Sequence, residues 1–273
     1  MGVISGQDMA ISAGGTVEST GRAFRLFVTN EEAGFVASNT LGAEGHVAGN
    51  SDWTGIYMGY GHTPNVFPGD DFAFIGSLDG TAGISGTSAI CERLTIRCPV
   101  EAGQPIEYEV RFGANSDLVL SGAAADATPV EAVSSRSLDV EFDAVALDHV
   151  RYWELEWYLK RPRRYFSSTT DGKARRTTSP LAGRWAVGFY TDDISAQQAL
   201  IDTFTVGKFN VEAAKYWQMT YCVPKGIREL KADYEGEEPV SAELFGVLSA
   251  TDGATVAAAM AIDPEGATRW PAP

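Results

Sequence analysis

The sequence predicts a mainly β protein: two tandem β-barrel or sandwich units of similar topology, with one short flanking helix. Three observations carry this reading. Gly is abundant, at 29 of 273 residues, while Lys is scarce and apolar content ordinary, the balance of a β-rich globular chain. Period-two alternation recurs, most clearly from Glu92 to Phe112. And the chain echoes itself, residues 24 to 60 resembling residues 153 to 190 in kind and order.

In that echo both segments open on aromatics, Phe24 and Phe27 against Trp153 and Trp157. An aromatic-Ser corner follows in each, Phe35 to Gly42 against Tyr165 to Gly172, at an offset of 130. A polar loop then runs to Trp53 or Trp185, and alternation resumes through Tyr57 or Phe189. Further on, Leu94 to Phe112 has a counterpart in Leu230 to Leu244, each a strand, a Gly- and Pro-containing turn and a second strand. A repeat of this kind implies one supersecondary unit written twice.

Residues 1 to 22, small and polar around Gly14-Gly15, read as an arm or poorly ordered terminus. The first β unit spans 23 to 113. Within it, Gly61 to Pro64 and Phe67 to Asp70 are turns, Phe72 and Phe74 share a strand face, and 79 to 86 is a loop. On the ribbon, Leu94 and Ile96 face in, with Ile106, Tyr108, Val110 and Phe112; Arg93, Thr95, Arg97, Glu107, Glu109 and Arg111 face out. Residues 114 to 150, rich in Ala, Gly, Ser and Asp, read as a linker. The second unit spans 151 to 250, with Leu230, Ala232 and Tyr234 on one ribbon face. Inside it Ser195 to Asp202 is the one predicted helix, with Asp192-Asp193 where the helix dipole favours anions. Residues 251 to 273 form a tail with a short strand.

Charge is lopsided. Residues 1 to 132 hold 5 Arg, no Lys and 16 acidic residues, net −11; the remainder is net −4, giving −15 in all. Such a field repels nucleic acid. No apolar run approaches the roughly 20 residues of a membrane helix, and residues 1 to 6 lack the basic start of an export signal. Cys91, Cys98 and Cys222 have no metal-like spacing; reduced, buried thiols in a cytoplasmic protein are expected. On a regular strand Cys91 and Cys98, seven apart, point to opposite faces.

Motifs of catalysis are sparse. His46, His62 and His149 stand apart in sequence, each beside turn residues. Asp70-Asp71 is explained by a turn before a strand, Gly83-Ile84-Ser85-Gly86 is one residue short of a nucleophile elbow, and Glu107 with Glu109 lies on an outward strand face where no cleft suits a glycosidase. Neither a metal, a cofactor nor an enzymatic activity is expected. The informative feature is a basic run of seven cations in 17 residues: Lys160, Arg161, Arg163, Arg164, Lys173, Arg175 and Arg176. With Tyr165 and Phe166 between its halves it has the make-up of a nucleic-acid patch, which the overall charge opposes. The matching loop of the first unit carries Glu31, Glu32 and Glu44 and no Lys or Arg. Opposite signs at matching positions suit copies that assemble, because complementarity fixes which unit meets which.

The run Phe35-x-x-Ser-x-Thr-x-Gly42, a loop to Trp, the strand Pro68-Gly-x-x-Phe-x-Phe74, and a Leu-x-Ile ribbon turning through Gly103-x-Pro105-Ile106 resembles the major tail, or tail tube, proteins of long-tailed bacteriophages. The resemblance covers Phe24 to Phe112 and, more weakly, Trp153 to Val247. It implies barrels assembled into stacked rings, here trimers with pseudo-sixfold symmetry, located in the virion tail and made in the host cytoplasm. It implies as partners the chain itself, other tail proteins and passing DNA, with no membrane anchoring. It makes Glu107, Glu109 and Glu229 candidates for an acidic lumen, and the loops at 28 to 50 and 158 to 182 joints between rings. Other readings are a capsid decoration or tail-completion protein, and a carbohydrate-binding sandwich stacking sugars on Trp53, Tyr57, Tyr60, Trp153 and Trp157.

Overall fold

The computed structural model of the chain describes residues 9–18, 20–35, 45–60, 64–77, 83–98, 105–121, 139–142, 145–147, 149–166, 174–191, 205–212, 215–232, 240–248 and 260–262. In the first half these form β1 (Ala10–Ala13), β2 (Thr16–Val17), β3 (Gly21–Phe35), β4 (Gly45–Tyr60), β5 (Asp71–Ser77), β6 (Gly83–Cys98), β7 (Glu107–Ala114) and β8 (Leu118–Ser121). In the second they form β9 (Asp139–Phe142), β10 (Val145–Ala146), β11 (Val150–Leu159), β12 (Arg163–Phe166), β13 (Ala174–Thr177), β14 (Leu181–Tyr190), β15 (Thr205–Glu212), β16 (Lys215–Lys231), β17 (Ser241–Leu248) and β18 (Met260–Ile262). The predicted helix at 195–202 lies outside the described residues. So do His62 and most of the tail.

The two halves pair their strands identically. In the first, the antiparallel ladders are β2–β1, β1–β5, β5–β6, β6–β7, β7–β4 and β4–β3, with β8 on β6. In the second they are β10–β9, β9–β15, β15–β16, β16–β17, β17–β14 and β14–β11, with β18 on β16. Register is copied too: Tyr57 faces Val110 and Gly55 faces Phe112, and 132 residues later Phe189 faces Ala242 and Val187 faces Leu244. Even irregularities recur. The bulge between Cys91 and Arg93 opposite β7 is matched by one between Ile227 and Glu229 opposite β17. β5 and β15 each carry a break as well, between Phe72 and Phe74 and, two rungs away in the repeat, between Thr205 and Gly207, and β16 has a further one between Pro224 and Gly226.

Each unit curls on itself. Phe24 on β3 and Phe74 on β5 are four strand steps apart, roughly 19 Å in a flat sheet at about 4.8 Å per step. Their ring centroids are 5.8 Å apart. In the second unit Trp153 on β11 and Phe209 on β15 are also four steps apart and their rings also 5.8 Å apart. The aromatic residues at the repeat positions therefore close each sheet around a core, offset in edge-to-face pairs. Trp53, Tyr57, Trp153 and Trp157 are all buried, which removes them as sugar-stacking platforms; Tyr60 is half-buried beneath the Arg22 guanidinium, 4.7 Å from its ring centroid.

Several expectations change. The arm at 1 to 22 contains a hairpin: Gly14 and Gly15, both at positive φ, turn β1 into β2, and β1 pairs with β5. Ile11 and Ala13 enter the core. The linker at 114 to 150 contributes β8 to the first unit and β9 and β10 to the second. Cys91 and Cys98 are both buried because the bulge between them adds a residue and flips the alternation; burial pushes the Cys98 thiol up to about 12. Leu230, expected inward, is exposed. And the offset of 130 does not hold along the first strand: Leu26 faces Gly55 as Trp153 faces Val187, so Trp153 is the counterpart of Leu26. The predicted turn at Phe67 to Asp70 stands, with the Asp70 amide donating to the Phe67 carbonyl at 3.0 Å and Gly69 at φ 105°.

The hairpin at 10–17 is thus part of the core. Ile11→Ala should lower unfolding free energy by about 2–4 kcal/mol, read by urea denaturation; a loss under 0.5 kcal/mol would mean that β1 is dispensable.

Candidate functional site

The surface that bears on function is the joint between the units. One edge of β6 pairs with β5 along its first part and with β11 along its last part, so a single sheet runs from one unit into the other. Trp153 faces Cys98, Leu155 faces Ile96 and Trp157 faces Leu94, and all six side chains are buried. Glu156, 1% exposed, sits between the Nε of Arg93, 3.1 Å away, and the Nε of Arg184. Glu154 accepts from Arg97 Nε at 2.7 Å. A buried carboxylate is tolerable only when paired on this scale; here two arginines from two units pair it.

The basic hairpin forms a second tie. Among the described residues β12 and β13 form a ladder of their own, and β13 lies against β4 and β7 of the first unit. Arg176 is buried. Its Nη1 and Nη2 donate to both oxygens of Asp52 at 2.9 and 3.0 Å, and Nη1 also to the Ala114 carbonyl at 3.1 Å. Its Nε lies 2.7 Å from Glu92. Arg164 Nη1 donates to Asp52 at 3.1 Å. Gly113 makes room: a Cβ there would run into the Arg176 guanidinium. Burial raises the Asp52 carboxyl, but the hydrogen bonds and charge of Arg176, joined by Arg164, outweigh it and hold the group below its ordinary value. At Glu92 burial prevails over the same arginine and the carboxyl is raised.

Arg164 and Arg176 bind the second unit to the first within one chain. Of the other predicted assembly residues, Lys160 and Arg161 are exposed, Arg163 faces Thr177 and Arg175 faces Tyr165 in the small ladder, and Lys173 and Glu44 lie outside the described residues. Glu31 accepts from Asn50 at 3.1 Å, and Glu32 lies 3.7 Å from His46 Nδ1. His149 takes a left-handed turn conformation, φ 50°. The lumen candidates are dispersed. Glu107 pairs with Arg22 at 3.2 Å and Glu109 with Arg111 at 2.7 Å, while Glu229 is exposed on β16, at the ladder position that Arg93 holds on β6.

Sign inversion between the units lies in the barrel walls, where sequence spacing does not reveal it. Asp52 and Arg184 precede the matching tryptophans Trp53 and Trp185. Glu92 and Arg228 are the extra residues of the matching bulges. Arg93 facing Arg111 is matched by Glu229 facing Glu243. Where the first unit offers acids to the basic hairpin, the second has an open pocket of about 310 Å³ lined by Tyr152, Glu154, Arg184, Trp185, Arg228 and Glu243.

No protein-family model matches the chain, nor does any curated protein.

Two predictions concern the tie. Arg176→Gln should cost about 3 kcal/mol, the scale of breaking a buried ion pair, and Gly113→Ala should lower stability in the same direction by displacing the guanidinium; urea midpoints check both. Because the Asp52 pKa is depressed on folding, its contribution is present above the unfolded value of about 3.9 and lost as pH falls through the folded one. The stability gap between wild type and Asp52→Asn should therefore be constant above about pH 5 and shrink below about pH 4; a gap that widens with acid would reverse the assignment.

Proposed function

We propose that this chain is a structural virion protein that assembles with itself into rings, three chains supplying six like units, which stack as the tail tube of a long-tailed bacteriophage. One observation carries the reading. Two units of the same topology are joined edge to edge within the chain, and among the described residues the two edges equivalent to those of that joint have no paired strand. No described strand covers the outer edge of β3, and none covers β16 on the side away from β17 beyond Val223. A unit that repeats head to tail closes into a ring when its rotation permits and otherwise extends as a filament.

The charge fits a conduit for DNA. A net charge of −15 discourages phosphate from adhering to the wall. With Glu107 and Glu109 each partnered by arginine, the repulsion comes from the acidic surplus of the first unit as a whole, with Glu229 adding an exposed carboxylate. Partners on this reading are further copies, other tail proteins and DNA as cargo, and the place of action is the virion tail.

Negative-stain microscopy of the purified protein tests this directly. Rings or hollow tubes with three- or sixfold projections are expected at about 0.15 M salt, with shorter assemblies at about 1 M, where screening reaches in to about 3 Å. Monomers persisting at high protein concentration would overturn the proposal.

A further inference from the structure

The joint inside one chain has two half-copies at the chain's ends. Leu94 on β6 faces Val110 as Leu230 on β16 faces Ala242, so Leu230 is the counterpart of Leu94. Leu155 on β11 faces Trp185 as Val28 on β3 faces Trp53, so Val28 is the counterpart of Leu155. Leu94 and Leu155 are 0% exposed, and across the joint each faces a buried residue of the neighbouring unit, Trp157 and Ile96; Leu230 is 51% exposed and Val28 57%. Phe27, beside Val28, is also exposed. Large apolar side chains thus stand bare at both terminal edges, at the positions that the internal joint buries.

Resting on the self-assembly reading, we propose that a second copy of this chain docks its β3 edge onto the end of β16 along Glu229–Ala232, repeating between chains the contact that β11 makes with β6. The ladder sets the register. Trp157 faces Leu94 across the internal joint. Trp157 faces Gly183 as Asn30 faces Ser51, so Asn30 of the incoming copy lies opposite Leu230. Burial of Val28 and Leu230 supplies the apolar gain.

Charge selects which unit enters. At the internal joint the basic β12–β13 hairpin lies on Asp52 and Glu92. At the terminal joint the same positions are Arg184 and Arg228, paired with Glu156 and Glu243, so the two carboxylates that hold the basic hairpin have no counterpart there. The two kinds of unit therefore alternate, and a contact of second unit with second unit is disfavoured.

The test is a disulfide across the proposed joint in the full chain. Asn30→Cys with Leu230→Cys should give an intermolecular ladder on a non-reducing gel, while either change alone gives none beyond a dimer. The three native thiols are buried and leave the readout clean. Independently, Val28→Lys and Leu230→Lys alter exposed side chains, so the urea midpoint should stay within error while sedimentation shows association weakened at least tenfold. If wild type assembles but the double cysteine fails to ladder and both lysine variants assemble as wild type does, this joint is wrong and the tube proposal survives. If wild type itself never assembles, the functional reading falls, and the joint with it.

Discussion

Glu156 occupies the position on which the two-unit structure rests. It belongs to β11, reaches Arg93 on β6 of the other unit and Arg184 on β14 of its own, and is almost wholly removed from water. The strand ladder around it supplies backbone hydrogen bonds, and Leu94, Ile96, Leu155 and Trp157 supply buried apolar surface. Those terms exclude a one-residue slip, which would turn every side chain to the opposite face, but not a two-residue slip, which keeps the faces. A buried carboxylate with two cationic partners excludes that as well, because it would be carried about 7 Å along the strand, away from Arg93. The apolar contacts hold the units together, and Glu156 fixes where.

The hairpin tie works on the same principle at a second point. Arg176 fills its donors with Asp52, Glu92 and a carbonyl, a forked geometry that only guanidinium offers. A sheet joint alone leaves two curled units free to rock about one strand pair; a second attachment on β4 and β7 removes that freedom. The first unit's acids and the second unit's arginines at equivalent positions mean that the duplicated halves have diverged in charge while keeping their ladders. Divergence in sign, with the strand order and the bulge at Glu92 and Arg228 retained, changes what each face offers and leaves the barrel intact.

Much of this was legible in the sequence, and the illegible part has definite causes. Alternation through Ile106, Tyr108, Val110 and Phe112 announces the ribbon, and the aromatics around Trp53 and Trp185 announce the repeat. Gly14-Gly15 between short apolar runs is a two-residue hairpin signal that the surrounding small residues obscured. The bulges at Glu92 and Arg228 were invisible, and each shifts every later parity, which is why Cys91 and Cys98 share a side and why a single offset fails. The pairing of β6 with β11 joins segments more than 50 residues apart, and nothing in either names the other. The destination of Arg176 followed from that pairing and was hidden with it.

Electrostatics between copies then has two parts of opposite sign, and their ranges decide the outcome. Net charge of −15 repels over the width of the molecule, whereas complementary side chains attract only near contact. At about 0.15 M salt the screening length is about 8 Å, so most of the whole-molecule repulsion is already gone while contact pairs retain their attraction. Raising salt to about 1 M shortens it to about 3 Å, which weakens the contact pairs and has little repulsion left to relieve. The acidic surplus would therefore do little against the proposed association of copies, whose balance would rest on contacts within a few ångströms of the edges.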